Sequence, residues 1–360
     1  MTIIDFWYLV KNRMQRYVEV VHLKKGYPFP GKLRKRYFIT TELGVFYVAS
    51  GVCRLLTPRP GYGLAIANDK VYFSYEDRRW DKGQFRLLSK VISANTSELL
   101  HGNLSTNSAL KKADVLFIQP FYSNNGRIHQ ITFTKVREEL LIAASEENSI
   151  VKIDLQSNKT SKIYPFSDCF GVPIKNFDHN HINSAIRIGD VIYFVAYKAG
   201  DSSLIGYLQE GEVFGWLVNP KGYHDFYPTD TGFITCDTFG NAEHGRVLTE
   251  AGCLLPEYFE EKDFAVRGIA GDDQELLIGH SHKGPRSKRF KGKGGLIIIQ
   301  RHHDAKYFQL PAAQVYQIIR EDGGYISQPE TCSHNAMKNL LDSQFGPARR
   351  IGRYGEEVAT

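Results

Sequence analysis

The sequence predicts an all-β protein folded as a single β-propeller of six blades, with seven as the alternative count. Composition is the first observation: of 360 residues, 12% are aromatic, with 20 Tyr and 22 Phe against 3 Met, a balance that suits sheets better than helix bundles. A repeated plan is the second. Five segments each run from an apolar strand through a polar turn into another apolar strand: GYGLAIANDKVYFSYE, RIHQITFTKVREELLIAAS, HINSAIRIGDVIYFVAY, YHDFYPTDTGFITCDT and VRGIAGDDQELLIGHS. Spacing is the third, since the segments recur roughly every 40 to 55 residues, the period of four-stranded blades.

Taken from the N-terminus, residues 1–37 form an extension, an expected amphipathic helix followed by the basic stretch KLRKR. The opening apolar run is too short to span a bilayer and carries its basic residues behind it, the reverse of a signal peptide. The propeller is expected over residues 38–327. Its first piece, GVFYVASGVCRLL (44–56), reads as the second and third strands of a blade that lacks its first.

The five repeats follow. Aligning them places Tyr62, His129, Asn183, His224 and Arg267 in one slot, with Val71, Leu140, Val191, Phe233 and Leu276 at a nearly constant distance beyond. The turns between use Asn68-Asp69, Gly189-Asp190, Thr231-Gly232 and Asp272-Asp273, residues that suit tight hairpins. Third strands are FRLLSK, SIVKIDL, SLIGYL, GRVLTE and GGLIIIQ, and a longer gap after Tyr62 leaves room for an insertion around residues 95–113. AAQVYQII (312–319) is a lone first strand. Paired with the N-terminal strands it completes a sixth blade and closes the ring, protecting both edges. Residues 328–360 are a partly helical tail.

Several function classes lose ground at once. A net charge of +6 from 45 basic and 39 acidic residues is a mild excess, so nucleic acid is a poor fit and a weak preference for anionic partners is all it implies. Five scattered cysteines without a CxxC pair indicate neither a disulfide framework nor a zinc knuckle, and a reducing cytoplasm fits best. The sequence contains no P-loop, GxGxxG, GxSxG or HExxH.

The slot carries what chemistry there is. In a propeller the first strand of each blade lines the channel, so a slot repeated round the ring converges on one spot. His181 lies two positions before Asn183, on the same face of a regular strand. His129, His181 and His224 can then share a divalent metal, zinc, iron or copper, with an open position for a reacting water. Arg267 would hold a carboxylate or phosphate, with Asn183 as a second binding residue, and Tyr62 or Asp225 would transfer protons. Against this stands a bland alternative, in which polar residues at a propeller mouth bond ordered water or tie blades together.

Three other features weigh less. In Asp178-His179-Asn180-His181 the acid reads as a turn residue. His280 and His282 end a second strand, further from the axis. KGPRSKRFKGKGG (283–295) is a cationic loop, read as solvated or as a lid that draws anions over the channel.

The ordered runs FYVASGVCRLL, GYGLAIANDKVYFSY, IHQITF, DHNHINSAIRIGDVIYFVAY, GYHDFYPTDTGFITCDT, FAVRGIAGDDQELLIGHSHKGPRSKR and AAQVYQII resemble the DUF4915-like bacterial propeller-like proteins, a group known as a domain of unknown function. The likeness covers roughly residues 44–320 and rests on His129, His181 with Asn183, His224, and Arg267 with Gly268. Ser184 and Asp225-Phe226 depart from the group's Gly and Ser-Pro, marking a distant member. The resemblance implies a propeller and importance for the slot residues, and it supplies no reaction.

Two functions follow as expectations. One is a metal-dependent propeller enzyme, a lyase, hydrolase or oxygenase, acting on a small polar or anionic substrate. The other is a non-catalytic module that binds a glycan, an anionic metabolite or a protein partner through the same mouth. No membrane span is expected.

Overall fold

A computed structural model describes residues 23, 25–58, 61–81, 84–101, 113–120, 128–166, 180–199, 202–219, 222–229, 232–238, 245–254, 264–283, 292–300, 304–324 and 332–352. They form a six-bladed β-propeller of antiparallel sheets. With strands numbered in chain order, blade 1 runs outward from β24 (Val315–Arg320) through β1 (Tyr37–Thr41), β2 (Val45–Ala49) and β3 (Val52–Thr57). Blade 2 is β4 (Leu64–Ala67), β5 (Lys70–Asp81), β6 (Gln84–Asn95) and β7 (Asp114–Pro120); blade 3 is β8 (Ile128–Thr134), β9 (Glu139–Ala144), β10 (Ser149–Asp154) and β11 (Thr160–Ile163). Blade 4 is β12 (Ile182–Ile188), β13 (Val191–Ala199), β14 (Ser202–Gln209) and β15 (Glu212–Val218); blade 5 is β16 (Tyr223–Pro228), β17 (Phe233–Asp237), β18 (Arg246–Thr249) and β19 (Gly252–Cys253). Blade 6 is β20 (Phe264–Gly271), β21 (Glu275–His282), β22 (Gly295–Gln300) and β23 (Asp304–Gln309).

Local chemistry matches the plan. Asn68 and Asp69 both take positive φ, 50° and 57°, the two left-handed residues that a tight hairpin between β4 and β5 needs. The Asp272 carboxylate accepts from the Gln274 and Glu275 amides, shaping the turn into β21. Inner strands are buried along their whole length in blades 2, 4 and 5, as expected where both sheet faces are covered by neighbouring blades.

Blade 1 is assembled from the two ends of the propeller sequence. β24 pairs antiparallel with β1 in the register Phe38 with Ile319 and Ile39 with Ile318. β24 also packs against β20 and β4, its neighbours on either side. The segment 44–56 therefore supplies the third and fourth strands rather than the second and third. The second strand is Tyr37–Thr41, five buried residues that lie across the expected boundary at 37/38. Two carboxylates fasten this seam. Glu275 of blade 6 accepts from the Arg34 and Lys35 amides, the Tyr37 hydroxyl and the Gln300 amide. Glu42 accepts from the Ala313 and Gln314 amides at the entry to β24.

The long gap in blade 2 holds an insertion between β6 and β7, at residues 96–113, together with a lengthened hairpin. β5 and β6 are each 12 residues long and pair from Lys70–Asn95 out to Asp81–Gln84, lengthening the hairpin beyond its sheet neighbours. A short helix, α1 (Thr96–His101), follows, and residues 102–112 lie outside the described set, as do residues 1–22 of the extension.

The tail docks on the propeller. Ser333 caps helix α2 (His334–Phe345) by accepting from the Ala336 amide, and Met337 and Leu341 are buried. The Trp216 indole donates to Asp342 Oδ1 and to the Gly346 carbonyl. Beyond it, β25 (Arg349–Arg350) pairs with β15 and covers the outer edge of blade 4. Among the described residues no helix is long and apolar enough to cross a membrane. Among the described residues Cys53, Cys236, Cys253 and Cys332 form no disulfide; Cys169 lies outside them.

Leu341 is fully buried in the largest apolar cluster, so Leu341→Ala should lower stability by about 2–4 kcal/mol. Chemical denaturation followed by Trp fluorescence will measure it.

Candidate functional site at the channel mouth

The inner strands share an irregularity. Register shifts occur on β8 between Ile128 and Ile131, on β12 between Ile182 and Ser184, on β16 between His224 and Phe226, and on β20 between Val266 and Ile269. On β24 the partners of Thr40 and Thr41 are Gln317 and Val315, leaving Tyr316 over. Each is a bulge with one residue too many on the inner strand, the device that re-aims a side chain and interrupts the ladder. His129, Asn183, Asp225, Arg267 and Tyr316 fall in these bulges. Asp225 adopts φ 49° and Gly268 φ 75°. A Cβ on Gly268 would lie 3.1 Å from Gln317 Cα, so glycine is required there for conformation and for space.

Tyr62, His129, Gln130, Asn183, His224, Asp225, Arg267, Tyr316 and Gln317 line a cavity of about 240 Å³, counted out to its open mouth. All five slot residues and Asp225 are thus brought together from five blades. The Tyr62 ring stacks on Tyr316 at 3.9 Å and lies 5.1 Å from His129. His129 in turn lies 5.9 Å from His224 and 4.7 Å from His181. Tyr197 completes the aromatic wall, 5.5 Å from His181 and 5.8 Å from His224.

His181 is placed otherwise than a regular strand would place it. It sits just before β12 at φ 54°, its amide held by Asn148 Oδ1 from blade 3, and it touches the His129 ring without lining the cavity. His280 packs its ring between Phe264 and Tyr307. Asp178, His179 and residues 284–291 of the cationic loop lie outside the described residues.

Beneath the rings lies a polar layer. Gln317 of blade 1 accepts from the Leu64 amide of blade 2 and the Ile131 amide of blade 3, and donates to the Ile131 carbonyl. Gln130 of blade 3 accepts from the Ala185 amide of blade 4 and donates to Asp225 Oδ1 and the Tyr227 hydroxyl of blade 5. Asp225 of blade 5 accepts from the Gly268 amide of blade 6. Hydroxyls take up other displaced backbone groups: Ser74 accepts from the Tyr62 and Gly63 amides, and Ser281 from the Val315 amide.

The layer sets the local charge. Burial pushes the Asp225 carboxyl up to about 6, against the lowering pull of the Gly268 amide, the Arg267 guanidinium, the Cys236 thiol and the Gln130 amide. Burial and the nearby Asp225 raise the Cys236 thiol well above its usual range.

Two groups in the cavity are unsatisfied. Asn183 is 2% exposed and donates through Nδ2 to the Tyr223 carbonyl, while among the described residues its Oδ1 has no partner. Arg267 Nε is likewise buried and unpartnered among them. Neither atom finds a partner among the described residues, and both belong to residues lining one cavity.

The imidazoles form no ready ligand set. Among the described residues no group of three or more His, Cys, Asp or Glu side chains is placed to hold a metal ion. His129, His181 and His224 meet as ring contacts, edge to face at 75° and tilted at 35°.

Sequence reading missed Gln130, Tyr316, Gln317 and Tyr197. A signal for three of them existed: IHQI (128–131) and VYQI (315–318) share an apolar–aromatic–Gln–Ile pattern, so extending the slot into the lone first strand would have added Tyr316 and both glutamines. Nothing in the pattern marks Tyr197, which lies on a second strand.

No family model matches the chain, and no curated protein matches it. Among solved structures, the chain is similar to a protein of unknown function from Bacteroides caccae, at 11% identity and a TM-score of 0.49, over 79% of this chain and 98% of that one. It is similar to a chain of the nidogen/laminin complex at 11% identity and 0.48, over 79% and 97%. The β-propeller domain of Cps50 (Swd1) from Myceliophteria thermophila gives 9% and 0.44, over 78% and 89%. These are likenesses of fold.

Gln317→Leu orphans two buried amides and a carbonyl and should cost about 2–4 kcal/mol in chemical denaturation. Asp225 is an acid raised to about 6 in the fold, so its stabilising contribution is full below about pH 4 and is lost as pH rises through about 6. The stability advantage of the wild type over Asp225→Asn should therefore shrink by roughly 3 kcal/mol between about pH 4 and pH 7, as read from denaturation curves across that range.

Proposed function

We propose that the channel mouth is a metal-free binding site for a small polar anion, and that the propeller acts by recognising this ligand. The observation that carries the reading is a pair of buried atoms without a partner among the described residues, Arg267 Nε and Asn183 Oδ1, on residues that line one cavity. An unsatisfied buried polar group costs about 1–3 kcal/mol, and two on one cavity are accounted for together by a ligand that pairs both.

The residues divide the work. Arg267 supplies the positive charge, and its planar guanidinium suits a carboxylate or phosphate. The stacked pair Tyr62 and Tyr316 offers an apolar wall to the ligand's carbon atoms. Asp225 is tied at both oxygens, by Gln130 and by Gly268, so in this reading it anchors the layer and tunes its charge. Ionised, it competes for Arg267; protonated, it leaves Arg267 to the ligand.

Thermal denaturation of the full chain with acetate, glycolate, lactate and inorganic phosphate tests the proposal. At a hundredfold excess over Kd, a ligand that binds only the folded chain should add about 2.7 kcal/mol of stability. Arg267→Gln should abolish the effect, and chelator treatment should leave it unchanged. For the wild type the effect should be larger at about pH 5.5 than at pH 7.5, because ionisation of Asp225 near 6 opposes a second negative charge, and Asp225→Asn should flatten that dependence. Absence of any stabilising anion, or its persistence in Arg267→Gln, would overturn the reading, and loss on chelation would overturn its metal-free part.

A further inference from the structure

We infer that the docked tail is a pH-sensitive strap, held on blade 4 while the His334 imidazole is neutral and loosened when that ring gains a proton. His334 is the first residue of α2, directly behind the Ser333 cap. It sits half-buried in the joint between tail and propeller. Its Nδ1 lies 2.9 Å from the Tyr193 hydroxyl of β13, and its ring packs on Tyr193 and Tyr207 with centroids 5.8 and 5.0 Å away. The turn between β12 and β13 closes the backbone side, where a Cβ on Gly189 would lie 3.7 Å from the Cys332 carbonyl oxygen and from the His334 amide nitrogen.

The surroundings favour the uncharged ring. In neutral imidazole Nδ1 can accept the Tyr193 proton, whereas an imidazolium has no acceptor left. Burial raises the Tyr193 and Tyr207 phenols, so neither supplies a negative charge. The first turn of α2 contains no acidic residue, and the helix dipole there opposes a cation. Lys338 adds a full positive charge one turn further along the same face. The nearby acids are engaged elsewhere. Asp342 accepts from the Lys338 ammonium, the Trp216 indole and the Ala348 amide, and Asp190, beside Gly189, pairs with Arg137 of blade 3. Burial, with Lys338 behind it, holds the His334 imidazole below its ordinary 6.5.

The sign follows from linkage. A histidine lowered in the docked state takes its proton more readily once the tail is free, so docking is at full strength above about 6.5 and weakens as pH falls below that value. Release uncovers the Tyr193, Tyr207 and Trp216 side chains and the outer edge of β15, which the two-residue strand β25 covers. The direction is opposite to that of Asp225, whose contribution to the whole fold grows as pH falls. Loosening of the tail by acid is therefore separable from any change in the propeller.

Amide hydrogen exchange of the full chain, read by mass spectrometry and normalised to the intrinsic rate at each pH, tests the inference because it reports local opening segment by segment. Protection across α2 should fall several-fold between about pH 7.5 and about pH 5.5, while the inner strands β8 and β16 keep theirs. His334→Gln retains an acceptor for Tyr193 and takes up no proton, so its α2 should be equally protected at both pH values. Equal protection of the wild-type α2 at both, or the same fall in His334→Gln, would overturn the inference. A fall shared by α2 and the inner strands would overturn it too, because the chain would then be opening as a whole. If His334→Gln leaves α2 unprotected throughout, Lys338→Gln decides: the fall should be smaller than in the wild type, and an undiminished fall would overturn the inference.

Discussion

Six inner strands meet at the axis of this propeller, five of them with their ladders interrupted by a bulge, and the backbone groups displaced there must find partners away from water. A buried amide without a hydrogen bond costs about as much as a lost bond, so the mouth of the channel is organised around satisfying them. Alternate blades provide the solution. Gln317, Gln130 and Asp225, from blades 1, 3 and 5, each take an amide of the next inner strand. Gln317 and Gln130 also reach the blade after that. Each contact joins residues far apart in sequence, which makes the inner layer a clasp between blades that also meet through apolar faces and through further polar links such as Thr132 to the Ala185 carbonyl and Thr238 to the Val266 carbonyl.

The same clasp separates the polar residues that are occupied from those that are not. Gln130, Gln317 and Asp225 are spent on the framework. Asn183 and Arg267, from blades 4 and 6, keep a free acceptor and a free donor among the described residues. Below the aromatic rings the mouth is structural, and at Asn183 and Arg267 it has bonding capacity to spare. The bland and the functional readings of a polar propeller mouth therefore apply to different residues of one slot.

Much of this was legible in sequence. The repeat gave the blades because four strands with alternating or continuous apolar character leave the same imprint each time, from ANDK in blade 2 to GDDQE in blade 6. Closure through AAQVYQII was legible because a first strand without followers and followers without a first strand complete each other. The count within blade 1 slipped by one strand, since YFITT stands apart from the repeat's turn chemistry and adjoins a basic stretch. The long hairpin of β5 and β6 was hidden as well: strand length beyond the sheet depends on pairing partners, and DRRW and KGQF carry no apolar alternation to announce it.

What the sequence by itself determined is the class of the fold, its period and the set of residues gathered at the axis, because apolar periodicity and turn chemistry are local properties that a chain carries in any conformation. Tertiary structure decided the rest. One extra residue in an inner strand sends a side chain to the opposite face, so whether His181 or Asp225 lines the cavity is settled only by where each bulge falls. Whether a polar atom is spent or free depends on what the next blade presents to it, as Tyr223 does to Asn183 Nδ2. Such partners lie tens to hundreds of residues away, as Leu64 does from Gln317, and only the closed ring brings them within bonding distance.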